Sequence, residues 1–401
     1  MSRTLSIVVA TAALAPLAPA QSLLHETAGT QAASSYGWAL VSIDDIDGDG
    51  VRDLVTSAPF RSSPAFEIGE VFALSGATGA LLWNRVGPVG GDGYGLDIAV
   101  VDDADQDGIE DLAVISNSFP LPPTFSSVEI QSAATGAVLS RSSAPSVSNL
   151  FGSLVAVPDA DGDGRRDLLV AVSRGAPSPG EVRLYSTGTG AELRRWAGQS
   201  PEENYGLTIA LVDDLDGDGA EDCAFTASGR IVQGAPRAGA VELVSSSTGS
   251  VLRTLDGPPV DYAEFGVAIT PFRDIDGDGV RELAIADSPS FFAADKTSAV
   301  SLVSPVTGAV LDRILGGEEL GTRYAVTVFG DYDSDGVEAL LIGAPFSSTN
   351  ALRAGAVRVV LGANGLDIGR FDGGAAYSIL GRTAVVTGDL AGDGVQDFAA
   401  S

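Results

Sequence analysis

The residues of this chain best suited to chemistry are aspartates in a recurring array. The pattern Asp-x-Asp-x-Asp-Gly-x-x-Asp begins at Asp45, Asp103, Asp159, Asp214, Asp274, Asp331 and Asp389. Carboxylates at its odd positions point to one side of a tight loop, and the glycine at position six permits the sharp turn that returns the ninth residue to the same point. With the backbone carbonyl of position seven, such a loop offers the six or seven oxygens that Ca2+ prefers, whereas Mg2+ favours a stricter octahedron with retained water. In repeat one the donors are Asp45, Asp47, Asp49, the carbonyl of Val51, and Asp53. Repeat two offers Asp103, Asp105, Asp107, Ile109 and Asp111, and repeat three Asp159, Asp161, Asp163, Arg165 and Asp167. Repeat four offers Asp214, Asp216, Asp218, Ala220 and Asp222, and repeat five Asp274, Asp276, Asp278, Val280 and Glu282. Repeat six keeps Asp331, Asp333 and Asp335 but has Ala339 at position nine, and repeat seven keeps Asp389, Asp393 and Asp397 but has Ala391 at position three. The expectation is up to seven Ca2+, five held strongly and two weakly. Four like charges this close repel by several kcal/mol at an intermediate dielectric, so a metal-free acidic loop is the poorer reading. An EF-hand is excluded, because position twelve is never acidic (Thr56, Val114, Val170, Phe225, Ile285, Ile342, Ala400) and the flanks read as strands.

Other chemistry is sparse. His25 is the single histidine and Lys296 the single lysine, the latter in a polar loop. Cys223 follows Asp222 at the start of an apolar strand and reads as a small buried hydrophobe rather than a nucleophile. Trp83 and Trp196 fall on strands where packing is the default. A glycosidase needs two free carboxylates, but nearly all clustered acids are claimed by the loops, and no repeat concentrates His, Lys, Arg or Tyr in its loops. The chain does not read as an enzyme.

Composition narrows the partners. The 401 residues carry 53 acidic and 23 basic side chains, a formal charge of −30, which repels nucleic-acid backbones and suits cations or neutral partners. A hydrophobic content of 45% supports a globular core, and one cysteine allows neither an internal disulfide nor a cysteine zinc site. Residues 1–20 read as a cleavable secretory signal: Arg3, an apolar stretch from Leu5 to Leu14, and the small-x-small site Ala18-Pro19-Ala20. The apolar stretch is too short for a membrane anchor, and no later stretch is long enough to insert in a bilayer. The expected location is therefore extracellular, periplasmic or at the cell surface.

The motif recurs every 55 to 60 residues, too long for one hairpin. Within each period apolar residues alternate between Gly and Pro punctuation, as in Gly69-Glu70-Val71-Phe72-Ala73-Leu74 before Ala77-Thr78-Gly79, and four strands per repeat follow. Sheets of this size bury both faces by stacking radially. The prediction is an all-β, seven-bladed β-propeller with four-stranded blades over residues 21–401, its motif loops at 45–53, 103–111, 159–167, 214–222, 274–282, 331–339 and 389–397. Residues 22–28 match residues 80–86 and should be an orphan fourth strand that closes the last blade. Because the sequence ends at Ser401, after a second strand, either that blade lacks its third strand or the chain is truncated.

These features resemble the FG-GAP repeats of the integrin alpha-subunit propeller and the related VCBS-type repeats. The residues that carry the likeness are Phe151-Gly152 and Phe265-Gly266, Tyr-Gly at 36, 94 and 205, the acidic loops, and Gly-Ala-Pro at 234–236 and 343–345, softened to Ser57-Ala58-Pro59. Tyr324-Ala325 departs from the pattern. The resemblance implies calcium on loops between the first two strands of a blade and a role in adhesion or ligand binding. The expected function is a secreted calcium-binding module, monomeric, with an unknown extracellular protein or glycan partner. The alternatives are a carbohydrate-binding or lyase-like propeller, or a spacer of a longer surface protein.

Overall fold

The computed structural model describes residues 6–11, 22–29, 34–63, 66–87, 93–117, 126–144, 153–172, 179–289, 298–317, 325–331, 337–362, 365–391 and 396–401. Every regular element among them is a β-strand. The fold is an all-β propeller of four-stranded antiparallel blades. In repeat one the strands are Leu40–Ile43, Asp53–Ser57, Glu70–Leu74 and Leu81–Val86, paired in that order. The acidic loop joins the first two strands, as the sequence predicts. Second and third strands are buried on both faces, which is why they read as nearly unbroken apolar runs such as Leu283–Asp287 and Ala356–Leu361. Fourth strands alternate between exposed and half-buried residues, as an edge strand does.

The chain divides into two compact bodies, residues 1–148 with 327–401 and residues 149–326. In the first, Val55, Val71, Ala73, Tyr94, Leu112 and Val114 form one core cluster, and Phe329, Leu341, Val357, Val359 and Phe398 form another. In the second, Leu169, Val182, Tyr205 and Phe225 pack together, and Val241, Leu243, Phe265, Leu283 and Ile285 form the neighbouring cluster.

Six blades are each built from four strands of one repeat, rather than the seven expected from seven motifs. The last motif's strands, Ala384–Gly388 and Asp397–Ala400, lie instead in a composite four-stranded sheet with Ser6–Thr11 and Ser22–Ala28. Residues 22–28 do take the fourth-strand place. The third-strand place, expected to be vacant, is taken by residues 6–11, from the segment assigned to the leader.

One joint recurs between successive repeats. The glycine opening a third strand receives the backbone of the aromatic-glycine pair that opens the next repeat: Gly69 bridges Tyr94, and Gly239 bridges Phe265. Phe265 donates its amide to Ala238 O at 3.0 Å, and Gly266 donates to Ala286 O at 2.8 Å, tying the pair to its own second strand. Leu380-Gly381 makes the same joint with Gly355, without an aromatic ring. Glycine is required at Gly239 for two reasons. Its φ is 89°, and a Cβ there would fall on the Phe265 amide nitrogen and carbonyl oxygen. Phe151, Gly152 and Tyr324 lie outside the described residues.

Gly239→Ala should therefore destabilise the chain by at least about 2 kcal/mol, the left-handed penalty plus backbone displacement. Denaturant melts should show a lower midpoint with an unchanged slope. A variant within about 0.5 kcal/mol of the parent would show that the joint tolerates a side chain.

Candidate metal centres

Each acidic loop is shaped by its own carboxylates accepting its own amides. In repeat one, Asp45 Oδ1 accepts from Gly48 at 2.7 Å and Asp49 at 3.2 Å, and Oδ2 accepts from Gly50 at 2.7 Å. Asp47 accepts from Asp49 at 3.2 Å, and Asp49 from Val51 at 2.9 Å. The amide of position six reaches position one in repeats two to five as well, from Gly108, Gly164, Gly219 and Gly279. Position four is left-handed too, at Gly48 (φ 81°), Gly162, Gly217 and Gly277. Repeat two places Gln106 there at φ 64°, a conformation that costs a side chain about 1–2 kcal/mol.

Position nine does something different. Asp53 is fully buried, and its two oxygens accept from opposite sides, Ile46 N–H at 2.8 Å in the loop and Gly76 N–H at 2.9 Å in the turn between the third and fourth strands. Asp111 does the same with Ala104 and Ala133, Asp167 with Ala160 and Thr187, and Asp222 with Leu215 and Ser246. The exception explains itself. In repeat five the residue corresponding to Gly76 is Pro305, which has no amide hydrogen, and position nine is Glu282, whose oxygens accept from Ile275 and Asp276 within the loop.

The loops thus hold two kinds of carboxyl. Amide donors, led by Gly50, Gly164 and Gly219, hold Asp45, Asp159 and Asp214 below the usual carboxylate range. Burial, partly offset by the donated amides, pushes Asp53, Asp111, Asp167, Asp222 and Glu282 above it.

Five loops bring three carboxylates together with one oxygen from each within 4.8 Å of the others. They are Asp45, Asp47 and Asp53; Asp103, Asp105 and Asp107; Asp159, Asp161 and Asp167; Asp214, Asp216 and Asp218; and Asp274, Asp276 and Glu282. All-oxygen donors on a glycine-bent loop fit a hard divalent cation, and these five are the repeats with an unbroken acidic pattern. In repeat six Asp333 and Asp335 lie outside the described residues, Asp331 is exposed, and Ala339 is buried and makes only backbone bonds at position nine. In repeat seven Asp393 lies outside the described residues, Asp389 is exposed, and Asp397 is buried and accepts from Leu390 at 2.7 Å and Ala391 at 2.9 Å.

The remaining candidates are structural. His25 Nε2 bonds Ala77 O at 2.6 Å, and the indole N–H groups of Trp83 and Trp196 donate to Ala133 O at 2.8 Å and Gly249 O at 2.9 Å. Each closes the turn of the following repeat. Cys223 is buried among apolar side chains, and burial pushes its thiol up to about 12, so it is no nucleophile at neutral pH. Lys296 lies outside the described residues. Charged clusters built on third-strand glutamates also occur within single repeats. Tyr205 donates to Glu242 at 2.8 Å, and Arg230 spans Glu242 and the buried Glu203. In repeat two the fully buried Glu129 pairs with Arg141 and lies beside Gln131, which donates to Tyr94. The signal was a glutamate inside an apolar third strand, Ala240-Val241-Glu242-Leu243-Val244. Each acid in these clusters contacts an arginine, Glu203 and Glu242 sharing Arg230, and Glu242 and Gln131 hold the tyrosine hydroxyls.

The two kinds of carboxyl should be separable. Asp167→Ala leaves buried amides unpaired and should cost about 2–4 kcal/mol with or without Ca2+, whereas Asp161→Ala should remove only the Ca2+-dependent part. In chelator, an Asp167→Ala variant no less stable than Asp161→Ala would contradict this division. Acid should oppose the metal. A raised folded-state pKa means the metal-free fold holds that proton more tightly than the unfolded chain does, while Ca2+ needs the ionised form. The melting shift produced by Ca2+ should therefore shrink on acidification, beginning above the ordinary aspartate value of about 4. A shift constant from pH 7 to 4 would refute it.

Comparison with known proteins bears on this arrangement. The FG-GAP repeat model matches residues 36–74, which span the Tyr36-Gly37 pair, the first acidic loop and the third strand of repeat one. Chicken (Gallus gallus) integrin alpha-V is 29% identical over 209 residues, 48% of this chain and 20% of that protein. Xenopus laevis integrin alpha-4 is 33% identical over 165 residues, 37% of this chain and 15% of that protein, and chicken integrin alpha-8 is 26% identical over 201 residues, 47% and 19%. The aligned segments span a fifth or less of each relative's length. With the loops, the aromatic-glycine joints and the four-stranded blades, these matches identify an FG-GAP repeat at residues 36–74 and support an integrin alpha-like FG-GAP repeat protein.

Proposed function

We propose that the chain is a secreted, Ca2+-stabilised propeller that works as an extracellular binding module. The observation that carries this reading is the fivefold recurrence of a carboxylate triad on the loop between first and second strands. Ca2+ would be structural, neutralising loops whose charge opposes folding, with Asp45, Asp47, Asp49, Asp53 and their counterparts as ligands. The buried position-nine carboxylate links that charge to the blade. Loops before the third strands carry exposed apolar side chains suited to a partner: Ile231 in the second body, and Phe346 and Leu352 in the first, with the Arg353 guanidinium 5.4 Å from the Phe346 ring. The charge of −30 favours neutral or cationic surfaces on that partner, an extracellular protein or glycan.

Thermal melts in excess Ca2+ and in chelator test the reading. A site at a thousandfold excess over its Kd adds about 4 kcal/mol, so the curves should separate by many degrees, and coincident curves would end it. Anomalous scattering at intermediate Ca2+ should fill the loops of repeats one to four first, then repeat five, with six and seven last. Equal occupancy of all seven would contradict the ligand-count ranking.

A further inference from the structure

The composite sheet takes its third strand from the far end of the chain, and the register of that strand is informative. Residues Ser6–Thr11 lie between Asp397–Ala400 and Ser22–Ala28 and pair antiparallel with both. In repeat one, the third strand pairs with the fourth from Glu70↔Val86 to Ala73↔Trp83, slips, and resumes at Leu74↔Leu81. On its other side it pairs Leu74↔Leu54, Ala73↔Val55 and Phe72↔Thr56. In the composite sheet the pairing runs from Ser6↔Ala28 to Val9↔His25, slips, and resumes at Ala10↔Leu23. The other side pairs Ala10↔Phe398, Val9↔Ala399 and Val8↔Ala400. Asp397 holds the motif place of Asp53, and His25 the place of Trp83. Residues 6–10 therefore stand where residues 70–74 stand in repeat one, irregularity included.

Connectivity does not impose this match. In repeat one residues 75–80 join the third and fourth strands in a tight turn closed by Gly79 N–H on Ser75 O at 2.7 Å, whereas the corresponding link here is the ten residues 12–21. The register is set by the two flanking strands. On one side these present Phe398, Ala399 and Ala400, all buried. The occupying segment, Ser-Ile-Val-Val-Ala-Thr, is uncharged and β-branched at Ile7, Val8, Val9 and Thr11, the composition that main-chain strand addition favours. The same residues precede the cleavage pattern Ala18-Pro19-Ala20.

We propose that the gap between Asp397–Ala400 and Ser22–Ala28 is a strand-acceptor site whose occupant is the chain's own N-terminal segment. It holds residues 6–11 while they are attached, and it takes the same segment back in the same register, as a free extended peptide, once they are cut away. The site works by edge pairing and is independent of the acidic loops, so it stands or falls apart from the calcium reading.

The test uses the full chain with a protease site inserted between residues 12 and 21, in excess Ca2+. After cutting, the N-terminal fragment should co-elute with the body, and a dye-labelled peptide of residues 4–13 should exchange for it. The Val9→Pro peptide and a scrambled peptide should bind at least tenfold more weakly, because proline removes a ladder hydrogen bond. Hydrogen exchange at residues 398–400 should be slow with the peptide bound and fast in its absence. In the uncut chain, Val9→Pro should speed exchange at the same residues. Equal exchange of the scrambled peptide would overturn the proposal. So would loss of the fragment on cutting with no rebinding and no change in protection at 398–400.

Discussion

Everything near the acidic loops depends on one buried anion. The position-nine carboxylate sits inside the blade with each oxygen claimed by a backbone amide, one from the loop and one from the turn beyond the third strand. A carboxylate can be buried only if its lone pairs are satisfied, and here the satisfying groups belong to two elements that would otherwise be free to move apart. Loop and turn are thereby locked, and the remaining aspartates are held facing one another at the surface. The substitution of glutamate in repeat five follows the same logic: where proline removes the turn amide, a longer side chain finds both partners inside the loop.

A second polar requirement is met between repeats. Tyrosine in the aromatic-glycine joint brings a hydroxyl into the core, and a buried hydroxyl needs a partner. Repeats two and four supply Gln131 or Glu242 from their third strands, and the acids there are in turn closed by arginines. Repeat five has Phe265 in the joint and Ser301 at the place of Glu242, so no charged partner is needed. In repeats two and four the buried third-strand glutamate thus accompanies a tyrosine oxygen.

Much of this was legible in the sequence, because seven copies of one spacing carry strand order, loop position and ligand type together. Residues 22–28 were placed as a fourth strand from their likeness to residues 80–86. The blade count was not legible, since the last motif's strands are completed from Ser6–Thr11, a segment whose composition also fits a leader. The position-nine staple was invisible because its second partner, Gly76 or Ala133, lies about twenty residues away in a turn that looks generic. The Glu129 and Glu242 networks were missed because a single glutamate in an apolar strand reads as a break in alternation. Leu380-Gly381 shows the limit of motif reading: the joint needs the glycine and the backbone path, and the ring is dispensable.

The closure of each turn by a side chain from the preceding repeat gives the chain built-in optical probes. Ala133 donates its amide to Asp111 and accepts the Trp83 indole N–H on its carbonyl, so one residue joins a metal-loop carboxylate to a fluorophore. In the second body Ser246 donates to Asp222 while its carbonyl accepts from Arg194, whose guanidinium lies 5.8 Å from the Trp196 ring. Indole emission depends on hydrogen bonding and on nearby charge, so Trp83 reports on the second loop and Trp196 on the fourth. The third tryptophan, Trp38, lies under Arg382 and bonds Leu96 O, away from both turns. Replacing it with phenylalanine leaves one native reporter in each body, readable without any label.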